Sequence, residues 1–331
     1  MNIINKVRIA GTGKYLPGHK VNSADLEAKL NLPSGWAERF SGVRERSWVD
    51  GETNAEMGYN ALKAALANAG LKIDDIDLLI NASATFDYIL PFQAAFILKH
   101  FSSELERRIP AFDINTSCLS FISAFDLASS LISNGEYRRI AIVSSEASSK
   151  GLWEQKEEII TLFGDGAAAV ILERDKEERG VIKSMIRVYS EGFDYSIIKG
   201  GGNVYPPRDC PYDPEIHCFS MDGRKLLRLA RKELAVFFRN FFQEAELDYS
   251  VVDVIAPHQA SKAGINLFRS LFPELSDKIY SNLETHGNVI SASIPMCLHD
   301  VIDKGILNRG QNCLLAGTAA GFAIGSILFK Y

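Results

Sequence analysis

Cys118, His258 and Asn288 lie far apart in this 331-residue chain, yet their side-chain types suit nucleophilic catalysis. Cys118 stands in DINTSCL (113–119), between a strand-like run and an apolar helical one. A thiol at the first turn of a helix faces unpaired backbone N–H groups and the positive end of the helix dipole, and both favour thiolate over thiol. That position suits a nucleophile. Read alone, the cysteine is better explained as a small buried hydrophobe, so the chemistry depends on partners. His258 closes the apolar run VVDVIAPHQ and, read alone, is a core histidine; Asn288 in HGN, read alone, is a turn residue, as Gly287 is.

The elements that must position these residues alternate in type. KVRIAGTGKYLP reads as a strand entering a Gly/Pro turn, and SADLEAKLNL as a helix capped by Ser23. NAEMGYNALKAALANAG carries Met57, Ala61, Leu62, Ala65 and Leu66 at helical spacing, with a cap at Thr53 or Asn54 and a stop at Gly70. Strands at 76–85, 110–115 and 138–146 then alternate with a helix at 91–101, started by Pro91, and with CLSFISAFDLASSLISNG, closed by Gly135. Alternation of this kind implies right-handed βαβ crossovers and a largely parallel sheet covered on both faces. The theme repeats after an irregular Gly/Pro stretch at 197–215, read as a surface excursion. A long amphipathic helix, a strand ending at His258, the helix GINLFRSLF, a short strand within KIYSNLETHGN, a helix after Asn288 and a closing hairpin in NCLLAGTAAGFAIGSILFKY follow in turn. Open α/β sheets gather ligands at the carboxyl ends of their strands, so the three residues are expected to meet there.

Composition narrows the class. With 47% hydrophobic and 23% charged residues the chain is an ordinary globular protein with a sizeable core. A net charge of −5 argues against a nucleic-acid or anionic-membrane binder, since both attract through excess Lys and Arg. Five cysteines (118, 210, 218, 297, 313) without C-x-x-C spacing argue against zinc and disulfides, and a start without an apolar signal region reads as a cytoplasmic protein.

DINTSCLSF, LFGDGAAAVIL, PHQAS, HGNVISASIP and AGTAAGFAIGS occur in the order found in thiolase-fold condensing enzymes. The chain most closely resembles 3-oxoacyl-[acyl-carrier-protein] synthase III, across essentially its whole length. The resemblance implies a thiolase-like α/β fold: two similar βαβαβαββ halves, 1–175 with the cysteine and 176–331 with the histidine and asparagine, in a five-layered α/β/α/β/α core. It implies that Cys118 is acylated by a thioester primer, and that His258 and Asn288 assist condensation with a malonyl-type or β-keto thioester. An enolate oxygen needs hydrogen-bond donors, which His258 Nε2–H and the Asn288 amide supply. The oxyanion of the acyl-cysteine would be held by the backbone N–H of Cys118 and, by resemblance, of Ala320. By the same resemblance Trp36, Leu90, Phe163, Ser261 and Phe322 contact substrate, and Arg228 and Lys262 contact an acidic acyl carrier protein. No metal or tightly bound cofactor is implied; the resemblance implies acyl-coenzyme A and acyl-carrier-protein thioesters as substrates, entering by a tunnel lined partly by residues 200–214, and a homodimer with Leu90 reaching the partner's pocket. FGDGAAAVIL lacks a phosphate-loop lysine, so its glycines read as sites of close backbone packing.

Several residues depart from that family's pattern. Bulky Leu119 and Phe121 follow the cysteine where small residues are usual, which implies a different primer pocket. Ala263 replaces an arginine, Phe40 replaces the arginine four residues after the coenzyme A-stacking Trp36, and Leu90 replaces a phenylalanine that limits primer length. These departures point to a specialised relative in a secondary pathway rather than to housekeeping fatty acid initiation. Two other readings stand beside it: an acyltransferase passing the acyl group to an alcohol, amine or second thioester without loss of CO₂, and a silent subunit completing a partner's pocket. A biosynthetic thiolase fits less well, since Cys313 precedes the terminal Gly-rich turn and belongs to a strand.

Overall fold

A computed structural model describes residues 2–177 and 179–331. Nine strands form one sheet: β1 (Asn5–Tyr15), β2 (Leu78–Ala82), β3 (Ala111–Ile114), β4 (Arg139–Glu146), β5 (Gly166–Arg174), β6 (Gly180–Val188), β7 (Val254–Pro257), β8 (Asn312–Ala319) and β9 (Ala323–Lys330), in the order β7-β8-β9-β6-β1-β5-β4-β2-β3. The two halves of the sheet meet between β1 and β6 at two residues each, Asn5 opposite Val181 and Lys6 opposite Gly180. Gly180 makes that junction possible: its φ is +132°, and a Cβ there would stand 2.0 Å from the Asn5 carbonyl oxygen.

The expectation of a largely parallel sheet is corrected. Among the described residues β2 pairs in parallel with β3 and β4, and β7 with β8, whereas every other neighbouring pair is antiparallel. Hairpins and the β1 strand returning to the middle of the sheet supply the antiparallel pairs, and the terminal hairpin β8–β9 is one of them. The short strand expected in KIYSNLETHGN is a single bridge between Ile255 and Ile279.

Six helices cover the sheet: α1 (Asn54–Ala69), α2 (Gln93–His100), α3 (Ser120–Ser133), α4 (Gly223–Glu244), α5 (Lys262–Leu271) and α6 (Ser293–Asp303). Period-2 alternation along the strands separates three cores. Leu78 and Ile80 of β2, Val254 and Ala256 of β7, and Leu315 of β8 face a middle core with α3 and α6. Leu79, Ala141 and Ile171 face α1 and α2 on one outer side, and Ile255, Leu314 and Leu328 face α4 on the other. The result is five layers, helix–sheet–helix–sheet–helix. Local signals fix several boundaries: Thr53 and Glu56 form a capping box at the start of α1, and Gly70 ends it in the left-handed conformation. Ser23 is the first residue of its helix rather than the cap, which is Asn22; its hydroxyl donates instead to the Val43 carbonyl (2.5 Å). Among the described residues no helix is long and apolar enough to cross a membrane.

Candidate active site

Between β3 and α3 the chain makes a tight elbow. The Ser117 N–H donates to Asn115 Oδ1 (2.9 Å), the Leu119 N–H to the Thr116 carbonyl (3.2 Å), and the Ser120 N–H and hydroxyl both to the Ser117 carbonyl (3.0 and 2.7 Å). Ser117 takes a φ of 55°, a left-handed conformation that a non-glycine residue adopts only where its surroundings hold it. Cys118 is carried on this elbow, two residues before α3 begins rather than in its first turn.

The electrostatics correct the expectation of a resting thiolate. Burial pushes the Cys118 thiol up to about 11; the Ser117 hydroxyl opposes this, the Glu146 carboxylate adds to it, and the N–H groups of Ala320 and of Cys118 itself pull it down. Loss of hydration outweighs the donors, so the free site holds a thiol at neutral pH. Those two N–H groups nevertheless face the sulfur from opposite halves of the chain. Two N–H donors already oriented on one sulfur can hold an oxyanion formed beside it.

His258 follows β7 directly, and its N–H donates to the Ala316 carbonyl (2.8 Å). Burial holds the imidazole well below its usual range, at about 4, against an opposing interaction with the Ile290 main chain. The ring is neutral at pH 7, and its buried Nδ1 has no hydrogen-bond partner. Asn288 is locked by its own turn: its Oδ1 accepts from the Ile290 N–H (2.9 Å) and its Nδ2 donates to the Ala260 carbonyl (3.2 Å). One amide hydrogen is left over for a ligand. Backbone bonds from Asn288 N–H to the Leu162 carbonyl (2.9 Å) and from Gly164 N–H to the Asn288 carbonyl (3.1 Å) tie the turn to the FGDG segment. The glycine is required there, since a Cβ on Gly164 would stand 2.1 Å from the His286 carbonyl oxygen.

Cys118, His258 and Asn288 line one cavity of about 1060 Å3, together with Ala320, Phe163, Ser261 and Phe322. Phe163 meets Phe219 edge to face at 5.2 Å, and the Ser261 hydroxyl caps α5 by accepting from the Gly264 N–H (3.1 Å). Not every residue expected to contact a substrate or partner lines this cavity. Trp36 does not line the cavity; it stacks on Phe40, ring centroids 5.0 Å apart and 5° from parallel, and Phe40 forms part of the wall. Leu90 lies outside the cavity, 84% exposed beside Tyr88 and Ile89. Arg228 borders a second hollow of about 510 Å3 with Arg231, next to the first and sharing Leu227, Ala263 and Leu267 with it; Lys262 is exposed at the start of α5.

Two further expectations are corrected. Leu119 and Phe121 do not line the cavity: Leu119 packs into the middle core against Gly317 and Gly325, whose missing side chains make room for it, and Phe121 is fully buried edge-on to Phe125. Residues 200–214 do not line it either; Ser196, Ile197 and Ile198, just before them, do. The sequence reading passed over Glu146. It closes β4 fully buried, raised to about 6 by burial, and accepts from the Ala84 and Thr85 N–H groups (2.8 and 2.9 Å) and from the Thr85 and Ser291 hydroxyls. A carboxylate ending the apolar run IAIVSSE was the available signal.

A family model described as 3-oxoacyl-[acyl-carrier-protein (ACP)] synthase III matches residues 112–190, and its C-terminal counterpart matches residues 242–331. The chain is 32% identical over 326 residues to a beta-ketoacyl-[acyl-carrier-protein] synthase III of Coxiella burnetii, covering 98% of each chain. It is 30% identical over 328 residues to that of Clostridium acetobutylicum, covering 99% of each. The crystal structure of 3-oxoacyl-[acyl-carrier-protein] synthase III from Aquifex aeolicus matches with a TM-score of 0.88 at 27% identity, covering 98% of this chain and 100% of that one.

Proposed function

Because the chain belongs to the 3-oxoacyl-[acyl-carrier-protein] synthase III family of acyl-transferring condensing enzymes, we propose that Cys118 accepts an acyl group from a thioester and passes it to the α-carbon of a second thioester. The observation that carries this reading is the convergence of Cys118, His258 and Asn288 on one cavity, with the Cys118 and Ala320 N–H groups facing the sulfur. In the first step His258, neutral and therefore able to accept a proton, takes the one that Cys118 loses as sulfur attacks the primer carbonyl. The leaving thiolate takes that proton as it departs, and the cysteine is left acylated. In the second step a malonyl-type thioester loses CO₂, or a β-keto thioester gives a C2 proton to His258, and the electron pair passes to an enolate. His258 and the free Asn288 amide hydrogen hold its oxygen, each worth about 3 kcal/mol by analogy with other oxyanion donors. The enolate carbon attacks the acyl carbonyl, the C–S bond breaks, and the Cys118 sulfur takes a proton, from His258 in the β-keto case and from water after decarboxylation.

The pathway reading rests on local differences. The Trp36–Phe40 stack occupies a face of the indole, so coenzyme A adenine would have to bind there differently or not at all, which supports delivery by a carrier protein. Arg228 and Lys262 offer exposed cations for an acidic carrier. The exposed apolar run Tyr88–Ile89–Leu90 supports a homodimer. No tightly bound cofactor is needed. We assign the protein to specialised acyl-chain assembly.

Intact-protein mass spectrometry after incubation with acyl-coenzyme A and acyl-carrier-protein thioesters tests this. Wild type is expected to gain one acyl group and Cys118→Ala none, with a condensation product appearing once an extender is added. Absence of any adduct with every donor refutes the reading.

A further inference from the structure

The cavity does not stop at the carboxyl ends of the strands. Ala316 and Gly317 are consecutive on β8 and point to opposite faces of the sheet, yet both line it. It therefore straddles the sheet edge. On the far side it follows one stripe of α4, with Leu226, Ala230, Leu234 and Phe238 spaced four apart, a run of about 18 Å at the helical rise. Leu267 and Phe268 of α5 pack in the same core as this stripe. Ala230, Leu234 and Phe238 are buried, and Phe238 closes the far end edge to face with Phe268 (5.2 Å) and Phe272 (5.3 Å). Every residue of α4 that lines the stretch from Leu226 to Phe238 is apolar, as is every lining residue of α5.

A pantetheine arm carries two amides, and burying an amide without partners is costly, so this sleeve does not suit the arm itself. A hydrocarbon chain gains from it with every methylene it buries. Pro257 and His258 line the cavity from the second half of the chain, and Ala84, Thr85, Asn115 and Ser117 line it from the half that carries Cys118. We propose that the sleeve between α4 and α5 holds the alkyl chain of the second substrate, so that the enzyme joins its acyl-cysteine to a long-chain 3-oxoacyl thioester. This rests on the condensation reading above. His258 removes a proton from C2 of the 3-oxoacyl thioester, and the resulting enolate carbon forms a bond to the acyl carbonyl. The C–S bond to Cys118 breaks, and the sulfur takes the proton back from His258. The product is a 2-acyl-3-oxoacyl thioester, and no CO₂ is lost.

The test uses the acylated wild-type enzyme and a series of extenders: malonyl thioester, then 3-oxobutanoyl through 3-oxotetradecanoyl thioesters, with products followed by mass spectrometry. Turnover is expected to rise at least tenfold from 3-oxobutanoyl to the best longer chain. Ala230→Phe, which places a ring in the sleeve, is expected to move that optimum to shorter extenders. Use of malonyl thioester alone, or a rate independent of chain length, overturns the proposal. So does a shift by Ala230→Phe in the primer chain accepted at Cys118 in place of the extender. Failure of Cys118 to become acylated at all is seen separately, in the intact mass, and overturns the condensation reading together with the sleeve.

Discussion

Gly164→Ala separates the two half-reactions. The added methyl would meet the His286 carbonyl oxygen at 2.1 Å, and Cβ contacts below 3.0 Å are essentially not tolerated, so the two segments must part by about 0.9 Å. The same stretch of backbone holds Asn288 through the bonds to Leu162 and Gly164, and the shift is passed to the amide proposed to hold the enolate oxygen. A misplacement of about 1 Å in a catalytic group costs on the order of a hundredfold in rate, equivalent to about 2.7 kcal/mol. Cys118 hangs from the β3–α3 elbow, which this contact does not touch. The expected result is therefore acylation of Cys118 within about twofold of wild type by intact-mass kinetics, with product formation from the acyl-enzyme lowered about a hundredfold in single turnover. A urea titration checks that the variant remains folded. Condensation at the wild-type rate in a folded Gly164→Ala protein would refute the reasoning, as would an equal loss in both half-reactions.

With a thiol at about 11, inactivation of the free enzyme by iodoacetamide should accelerate close to tenfold per pH unit from pH 7 to 10; a plateau from pH 7 upward would mean a resting thiolate. Glu146→Gln removes a negative charge that raises the thiol, so the same profile should move to lower pH, and an unmoved profile would show that the carboxylate does not act on the sulfur. Leu119→Ala empties a fully buried site between Gly317 and Gly325 and should cost about 3 kcal/mol in urea unfolding, while the primer accepted at Cys118 stays the same. Leu90→Glu puts a charge into the exposed apolar run and should convert a dimer to a monomer in sedimentation, with wild type as reference.

The repeated strand–helix theme and the meeting of three distant residues were legible because they follow from hydrophobic period and from where polar residues interrupt it. The capping box at Thr53 and the stop at Gly70 are local chemistry and emerge where expected. Strand direction was not legible: no local signal says that β1 returns to the middle of the sheet or that β6 joins it through Gly180. The protonation state of Cys118 was misread for a related reason. Helix-terminal donors are visible in sequence, but burial is a property of the assembled layers, and here burial dominates. Leu119 shows the same limit, since the room for it comes from two glycines about two hundred residues away on β8 and β9.

Cys118 precedes α3 and Asn288 precedes α6, the two helices held between the sheets in the middle core. Backbone amides in such a layer open to solvent only when most of the molecule does, so hydrogen exchange should be slowest at α3 and α6 and faster at the cavity wall formed by Phe40, Ile198, Phe219 and Leu227. On the proposed reading the reacting groups are thus fixed to the least yielding part of the molecule, and the surfaces that meet the acyl chains belong to its outer helices and rim. Substrate range can drift through rim substitutions while bond making and breaking keep the same frame, a division of labour that lets one scaffold serve many acyl chains.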